Sequence, residues 1–356
     1  MNILITSPSL DPNHNISGIS SVVQFIINSN RIHKYSHFEL GRRDNQKRNP
    51  AWLFHMLALY RKWFILMIKG KDVLVHFNLP LCRFSIIRDF PLILMTRLMG
   101  RKMIIHLHGG NYLMEKTPPE WMKILWKFIF SGKYPTIVLS PKEEEILKKR
   151  IPIQKVYSLP NCIDLKEAYS FERSYSDNNV VTLLYLGRIA IDKGIEYIYL
   201  AMHALKSRNV RFKFIMAGKG PDEENYCRKF DDLLGKDFEF KGVVAGNQKT
   251  EILERCNVFL LPSFYEGLPM ALLESMSYGL VPVTTNVGSI NQVVTDGING
   301  IFVKTHSSID IEDAIENISL KPELRNMLGR NAKQFIFNNF NPELYVTKLN
   351  EIYNYE

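Results

Sequence analysis

The chain has 356 residues, 46% of them apolar, and a formal net charge of +9. That length calls for two domains rather than one. Its four cysteines, Cys82, Cys162, Cys227 and Cys256, form no CxxC pair and no Cys/His cluster, which excludes a disulfide framework and a sequence-legible zinc site. The opening MNILITSPSL has neither a basic leader nor a long apolar run, so a secretory signal is not expected and a cytoplasmic setting is. Charge is lopsided: residues 1–167 hold 25 Lys/Arg against 12 Asp/Glu, and residues 168–356 hold 20 against 24. A basic half points to an anionic partner or, equally, to a solvated basic surface.

In chain order, apolar runs predict strands at Asn2–Ser7, Asp72–Phe77, Lys102–Leu107 and Thr136–Ser140. Helical patterns lie between and after them, at Ile19–Asn30, Trp52–Ile68, Phe84–Met99, Pro119–Phe130 and Pro141–Lys149. Trp52–Ile68 is apolar and about membrane-span length, but Arg61 and Lys62 sit inside it. Each central cation costs roughly 2.5–3.5 kcal/mol in a bilayer. A buried domain helix is the first reading. A helix lying on an anionic membrane is the second, helped by Arg42, Arg43, Lys47, Arg48, Lys69 and Lys71. A true span is a distant third.

A polar stretch at 166–179 reads as a linker. Beyond it the alternation repeats, with strands at Val181–Leu186, Phe212–Ala217, Phe238–Lys241, Val258–Leu261 and Val281–Thr285. Helices are expected at Gly194–Lys206, Asp222–Leu234, Lys249–Arg255 and Pro269–Tyr278, with a last one at about Pro342–Tyr353. Near-continuous apolar strands suit parallel sheets covered on both faces. The fold class is therefore α/β, with two doubly wound Rossmann-like domains: 1–166, and 167–338, with a C-terminal helix in 339–356 expected to pack back on the first. In such sheets ligands bind beyond the carboxyl ends of the strands, and two facing sheets would leave a central cleft.

The most informative stretch is LPSFYEGLPMALLESMSYGLVPVTT, residues 261–285, which reads as strand, loop, helix, strand. Glu266 lies in the loop and Glu274 in the helix. That helix carries one charge and is apolar on most of its circumference, so it is expected to be buried and Glu274 to need a partner. The spacing alone proves little, since about one Glu–x7–Glu pair is expected by chance. A second pair, Glu343 and Glu351, lacks the strand, turn and stop signals and reads as a solvated helix face.

Other candidates also follow strand ends. Arg188 and Lys193 precede a helix start and would make a diphosphate site, unless they are simply exposed loop cations. Gly218-x-Gly220 opens a helix and permits close backbone approach, although a plain turn is the commoner meaning. Ser17–Gly18 opens the first long helix. His108, beside Gly109 and Gly110, stands at a strand end, as either a ligand contact or a satisfied structural histidine.

Together these residues resemble the retaining, nucleotide-sugar-dependent glycosyltransferases of the GT-B architecture, family 4. The matching order is Gly18, His108, Ser140, Asn161, Gly187–Arg188, Lys193–Gly194, Gly218-x-Gly220, Gly242, Pro262–Ser263, Glu266–Gly267, Glu274, Gly279-x-x-Pro282–Val283 and Asp296–Gly297-x-x-Gly300. The likeness is specific from Val181 to Val303 and looser before. It implies that Arg188 and Lys193 hold the donor diphosphate and that Glu274 binds the ribose. It also implies that Glu266 and the amides of Gly267, Leu268 and Met270 meet the sugar, while His108 faces it from the other domain. The Gly242–Val243 backbone would lie near the base, Gly187 would flank the phosphate loop, and Gly18 would let the first loop approach phosphate or acceptor. Ser17–Gly18 and Gln292 depart from the common pattern.

The resemblance further implies a UDP-, GDP- or ADP-sugar donor, with no cofactor and no metal, in line with the absence of an Asp-x-Asp motif. The acceptor would be a saccharide or polyprenyl-linked saccharide in bacterial capsule, O-antigen (lipopolysaccharide) or exopolysaccharide assembly. The place would be the cytoplasm or the inner membrane face. A sugar-nucleotide epimerase or phosphorylase, or a non-catalytic nucleotide-sugar-binding partner, are the alternatives. No nucleic-acid module is recognised.

Overall fold

The computed structural model describes residues 1–15, 17–41, 43, 50–70, 72–114, 118–151, 155–173 and 180–355. Arg42, Lys47, Arg48, Lys71 and part of the expected linker lie outside them.

In chain order the first unit holds β1 (Asn2–Ser7), α1 (Gly18–Ser29), β2 (Lys34–Glu39), α2 (Pro50–Lys69), β3 (Val73–Leu79), α3 (Arg83–Leu98) and β4 (Met103–Leu107). It continues with α4 (Asn111–Met114), α5 (Glu120–Phe130), β5 (Thr136–Val138), α6 (Pro141–Arg150) and β6 (Val156–Ser158). The second unit holds α7 (Lys166–Ser170), β7 (Val181–Leu186), α8 (Ile195–Ser207), β8 (Phe212–Ala217), α9 (Glu223–Leu234), β9 (Phe238–Gly242) and α10 (Gly246–Arg255). Then come β10 (Val258–Leu261), α11 (Met270–Ser277), β11 (Val281–Thr285), β12 (Ile301–Val303), α12 (Ser308–Leu320) and α13 (Pro322–Asn339). The last helix, α14 (Pro342–Tyr353), returns to the first unit.

Each unit is built on a six-stranded parallel sheet, ordered β2-β1-β3-β4-β5-β6 in one and β12-β11-β10-β7-β8-β9 in the other. Both reverse direction in mid-sheet, the mark of double winding. The inner strands are buried on both faces, as in Ile3–Ile5, Leu74–Phe77 and Val258–Leu261. That burial explains why they read as unbroken apolar runs. Trp63, Phe77, Phe214 and Phe230 are the large fillers of the two cores. Burying each contributes roughly 1.5–3 kcal/mol.

The compact units are Met1–Asn161 with Glu343–Glu356, and Cys162–Pro342. The boundary falls at 161/162, a few residues before the expected 166/167. Cys162 and Ile163 are already buried, and the Cys162 thiol lies 3.7 Å from the Phe340 carbonyl of the same unit. The return of α14 is fixed by Tyr345, Leu349, Ile352 and Tyr353, all buried. The Asn30 amide donates to Asn350 Oδ1 at 2.6 Å, and the ring of Phe25 meets Tyr345 edge-on.

Seven elements escape the sequence reading, among them the short α4 and also α7, a helical turn at Lys166–Ser170 where a linker was expected. β2, β6 and β12 are sheet edges, and β2 alternates exposed with half-buried polar residues along Lys34–Glu39. α12 does carry a legible period, with Ile311, Ala314, Ile315 and Ile318 buried on one face. α13 is less regular, and its buried side includes Arg325.

Candidate functional site

Eleven of the thirteen candidate residues belong to the second unit, and they gather beyond the carboxyl ends of β7, β8, β9 and β10. Two loops make the centre. One leaves β7 and carries Arg188 and Lys193; the other leaves β10 and carries Ser263 and Glu266.

Backbone packing joins these loops. The Phe264 N–H donates to the Asp192 carbonyl at 2.9 Å. Gly194, at φ +77°, is pressed against Pro262, so a Cβ there would stand 2.2 Å from the Pro262 oxygen. Glycine is therefore required at 194 by both its left-handed backbone and the close approach. Gly288 plays the same part beneath Glu266: φ is +58°, and a Cβ would lie 2.0 Å from the Glu266 carbonyl oxygen. The Ser289 N–H completes the clasp by donating to the Gly267 carbonyl at 3.0 Å. On the outer side, the ring of Phe264 stacks on His306 at 3.9 Å, and Tyr197 meets both rings edge-on.

With the loops joined, Lys193 Nζ donates to Glu266 Oε1 at 2.8 Å and to the Tyr265 carbonyl at 3.2 Å. Ser263, fully buried, donates its hydroxyl to the same Oε1 at 2.8 Å. Thr285 holds Ser263 in turn through a 2.5 Å bond to its carbonyl. An ammonium has three N–H groups; two are used here and the third is left for a ligand. Lys193 and Glu266 are partly buried, at 21% and 13% side-chain exposure, so the pair is held in place rather than free in solvent.

Arg188 differs. Its backbone carbonyl accepts a 2.5 Å bond from the buried Tyr185 hydroxyl, whose phenol burial holds well above its usual pKa. Its side chain is exposed and has no carboxylate partner among the described residues. The main chain is thus anchored while the guanidinium stays uncompensated.

Gly218 and Gly220 have a structural reason to be glycine. A Cβ at Gly218 would stand 1.8 Å from the Gly187 carbonyl oxygen, and one at Gly220 would stand 1.9 Å from that of Ile189. These glycines let two loops of the protein pack together, a need that exists without any ligand. Gly187 itself has open space where a Cβ would go. So has Gly242, at φ +60°, whose carbonyl accepts from the Gly218 N–H and which leads into the half-buried Val243.

Glu274 also departs from expectation. It is not sealed in: its side chain is 20% exposed and already paired with Lys249 of α10 at 2.7 Å. The reason is the short α11, whose buried side is taken by Met270, Leu272, Leu273, Ser275 and Met276, leaving Glu274 on the open side. Lys249 escaped the sequence reading because it lies 25 residues away on another helix. Pro269 caps α11 with no side-chain bond, so the first amides, from Met270 onward, have no intrahelical acceptor. Leu268, next to the cap, is buried, and Gly267 is half-buried.

Two candidates belong to the first unit. Gly18 begins α1 with open space around its Cβ position. His108 follows β4 and is half-buried, with Nε2 2.6 Å from Asn78 Oδ1. Behind it lie two buried histidines: His106 is tilted against His108 at 4.2 Å and bonded to His76 at 3.3 Å, and His76 meets the Tyr353 hydroxyl at 2.8 Å. Burial lowers His76 and His108 to about 3 and His106 well below its ordinary value, so all three rings are neutral near pH 7.

Residues 169–335 match the family described as Glycosyl transferases group 1. The alpha-D-kanosaminyltransferase of Streptomyces kanamyceticus is 26% identical over 262 residues, 67% of this chain and 67% of that protein. The UDP-Gal:alpha-D-GlcNAc-diphosphoundecaprenol alpha-1,3-galactosyltransferase of Escherichia coli is 26% identical over 277 residues, 72% of this chain and 70% of that one. Among solved structures, sucrose-phosphate synthase from Thermosynechococcus elongatus superposes with a TM-score of 0.77 at 18% identity, covering 99% of this chain and 98% of that chain. The Anabaena protein HepE in complex with UDP-glucose gives 0.75 at 15% identity, with the same 99% and 98% coverage. Residues 169–335 therefore form a domain of the Glycosyl transferases group 1 family, and the two parallel-sheet Rossmann-like units have the GT-B architecture.

Proposed function

We propose that this protein is a retaining transferase of glycosyltransferase family 4. It moves a sugar from a UDP-, GDP- or ADP-sugar to a saccharide or polyprenyl-linked saccharide in bacterial surface-polysaccharide assembly. The observation that carries the reading is the charge arrangement beside α11. Glu266 is neutralised by Lys193 and Glu274 by Lys249, while Arg188, on the loop that packs against the Glu266 loop, has no carboxylate partner among the described residues. That balance attracts a diphosphate. The relatives named for transfer to undecaprenol-linked sugars support the acceptor class.

In this reading Arg188 and the free N–H of Lys193 hold the donor diphosphate and take up the charge that builds on it as the sugar leaves. No metal is needed for that task. Such a preorganised donor is worth roughly 10²–10³ in rate. Glu274 turns one oxygen to the ribose hydroxyls while Lys249 keeps the other. Glu266, fixed by Lys193 and Ser263, and the first amides of α11 orient the sugar. His108 offers a neutral ring to a sugar hydroxyl. The acceptor hydroxyl attacks on the face that the diphosphate vacates, so configuration is retained and no covalent sugar–enzyme bond forms.

The test is transfer activity with each nucleotide sugar in Arg188→Ala and Lys193→Ala. Each variant is expected to lose at least ~10²-fold in kcat. Near-normal turnover in either would remove that residue from the phosphate role.

A further inference from the structure

α2 has two apolar faces. Met56, Trp63 and Met67 are buried in the core of the first unit. On the opposite side Leu53, Phe54, Leu57, Phe64, Ile65 and Ile68 are 39–71% exposed. These six lie along one stripe at helical spacing, with Arg61 in its middle. Isolated exposed apolar residues are ordinary, but a contiguous stripe of this length marks an interaction surface.

The surrounding charge identifies the partner. Arg61, Lys62 and Lys69 are exposed, and none has a carboxylate partner among the described residues. α2 contains no acidic residue. In the neighbouring helices α3 and α5 the carboxylates are Asp89, buried against Arg88, and Glu120, paired with Lys123. α5 adds Trp121 and Ile124, 50% and 74% exposed, and Arg83 of α3 lies over the Trp121 ring. Exposed aliphatic and aromatic residues set among unpaired cations match the boundary of an anionic bilayer, where rings sit at headgroup depth and cations meet lipid phosphates. No helix among the described residues is long and apolar enough to cross a membrane.

We propose that the outward stripe of α2 lies flat on an anionic lipid surface, held by Phe54 and Phe64 in the acyl boundary and by Arg61 and Lys69 at the headgroups. This surface belongs to the first unit, whereas Arg188, Lys193, Glu266 and Glu274 belong to the second. It deepens the reading of a lipid-linked acceptor by giving the enzyme a direct hold on the membrane.

The test is sedimentation of the full-length protein with vesicles of phosphatidylcholine alone and of phosphatidylcholine with phosphatidylglycerol, at low and high salt. The wild type is expected to bind the mixed vesicles and to be released by salt. Arg61→Gln with Lys69→Gln is expected to weaken binding roughly thirtyfold, from about fivefold per cation. Phe54→Ser with Phe64→Ser is expected to abolish binding even at low salt, and both positions are exposed enough to spare the fold. Wild-type protein that ignores both vesicle types overturns the proposal, as does unchanged binding in the Phe pair. So does a dimer in solution that the Phe pair makes monomeric while vesicle binding persists, because the stripe is then an interface between copies. Binding is read without donor or acceptor, so its failure leaves the transferase reading standing. Arg188→Ala is expected to bind vesicles as wild type does.

Discussion

Asn78 Oδ1 lies 2.6 Å from His108 Nε2, while the other end of the same amide donates to the Thr6 carbonyl at 2.8 Å. A carbonyl only accepts, so the group facing Thr6 is the NH₂ and the group facing His108 is the oxygen. His108 must then carry its proton on Nε2, leaving Nδ1 as an acceptor. Thr6 secures the arrangement further by accepting the Asn78 backbone N–H on its hydroxyl at 3.1 Å. If His108 meets a sugar, Nδ1 accepts a hydrogen bond from a hydroxyl.

Nitrogen-15 spectra of the imidazole ring should therefore show the Nε2–H tautomer of His108 between pH 5 and 8, because burial lowers its pKa to about 3. In Asn78→Ala the tautomers are expected to mix, and transfer to slow by about tenfold or more through misorientation. A wild-type spectrum showing Nδ1–H would contradict the assignment.

The same histidines make stability depend on pH. His76 and His108 have folded-state values of about 3 against an ordinary 6.5. Between those limits the unfolded chain binds more protons, so stability falls as pH drops below about 6.5. Each group adds a slope of up to ~1.4 kcal/mol per pH unit. Denaturant midpoints at pH 7, 6 and 5, above the range where most carboxylates titrate, should fall progressively. A midpoint unchanged from pH 7 to 5 would show that the rings are not held neutral.

The glycines divide into two kinds. Gly194→Ala meets both a positive φ and the Pro262 oxygen, and is expected to cost about 2 kcal/mol or more. Gly187→Ala has room for its methyl and should change stability by less than ~0.5 kcal/mol. Chemical denaturation distinguishes the two. A loss of activity in a stable Gly187→Ala would then report contact with the donor.

Lys193 and Glu266 share one hydrogen bond, so their contributions to rate should not add. In a cycle of Lys193→Ala, Glu266→Gln and the double variant, the second change is expected to cost about tenfold less than it does alone. Strictly multiplicative losses in kcat would mean that the two act separately.

How much of this was legible depends on where each signal lies. β1, β7, β8, β10 and β11 are read at their observed bounds because strands buried on both faces are unbroken apolar runs. The edges β2, β6 and β12 lack that signal. Site residues next to strand ends, such as Arg188, Lys193 and Glu266, are visible because an abrupt change from apolar to charged or glycine-rich sequence marks the sheet's working end. Partnerships across the fold are not. Nothing in local sequence pairs Lys249 with Glu274, Lys193 with Glu266, or Asn78 with His108. The glycines mislead in a specific way: a residue needed for loops to pack together looks the same in sequence as one needed for a ligand to approach.

The return of α14 bears on how the chain is made. The first unit lacks its final helix until residues Glu343–Glu356 have been synthesised, whereas Cys162–Pro342 is available as soon as it emerges. A product that stops before Tyr353 deprives His76 of its hydroxyl partner and uncovers the side of the sheet that Tyr345 and Leu349 close. Early termination should therefore spare the second unit and ruin the first, and a nascent chain waiting at the ribosome would hold one finished unit and one unsealed one.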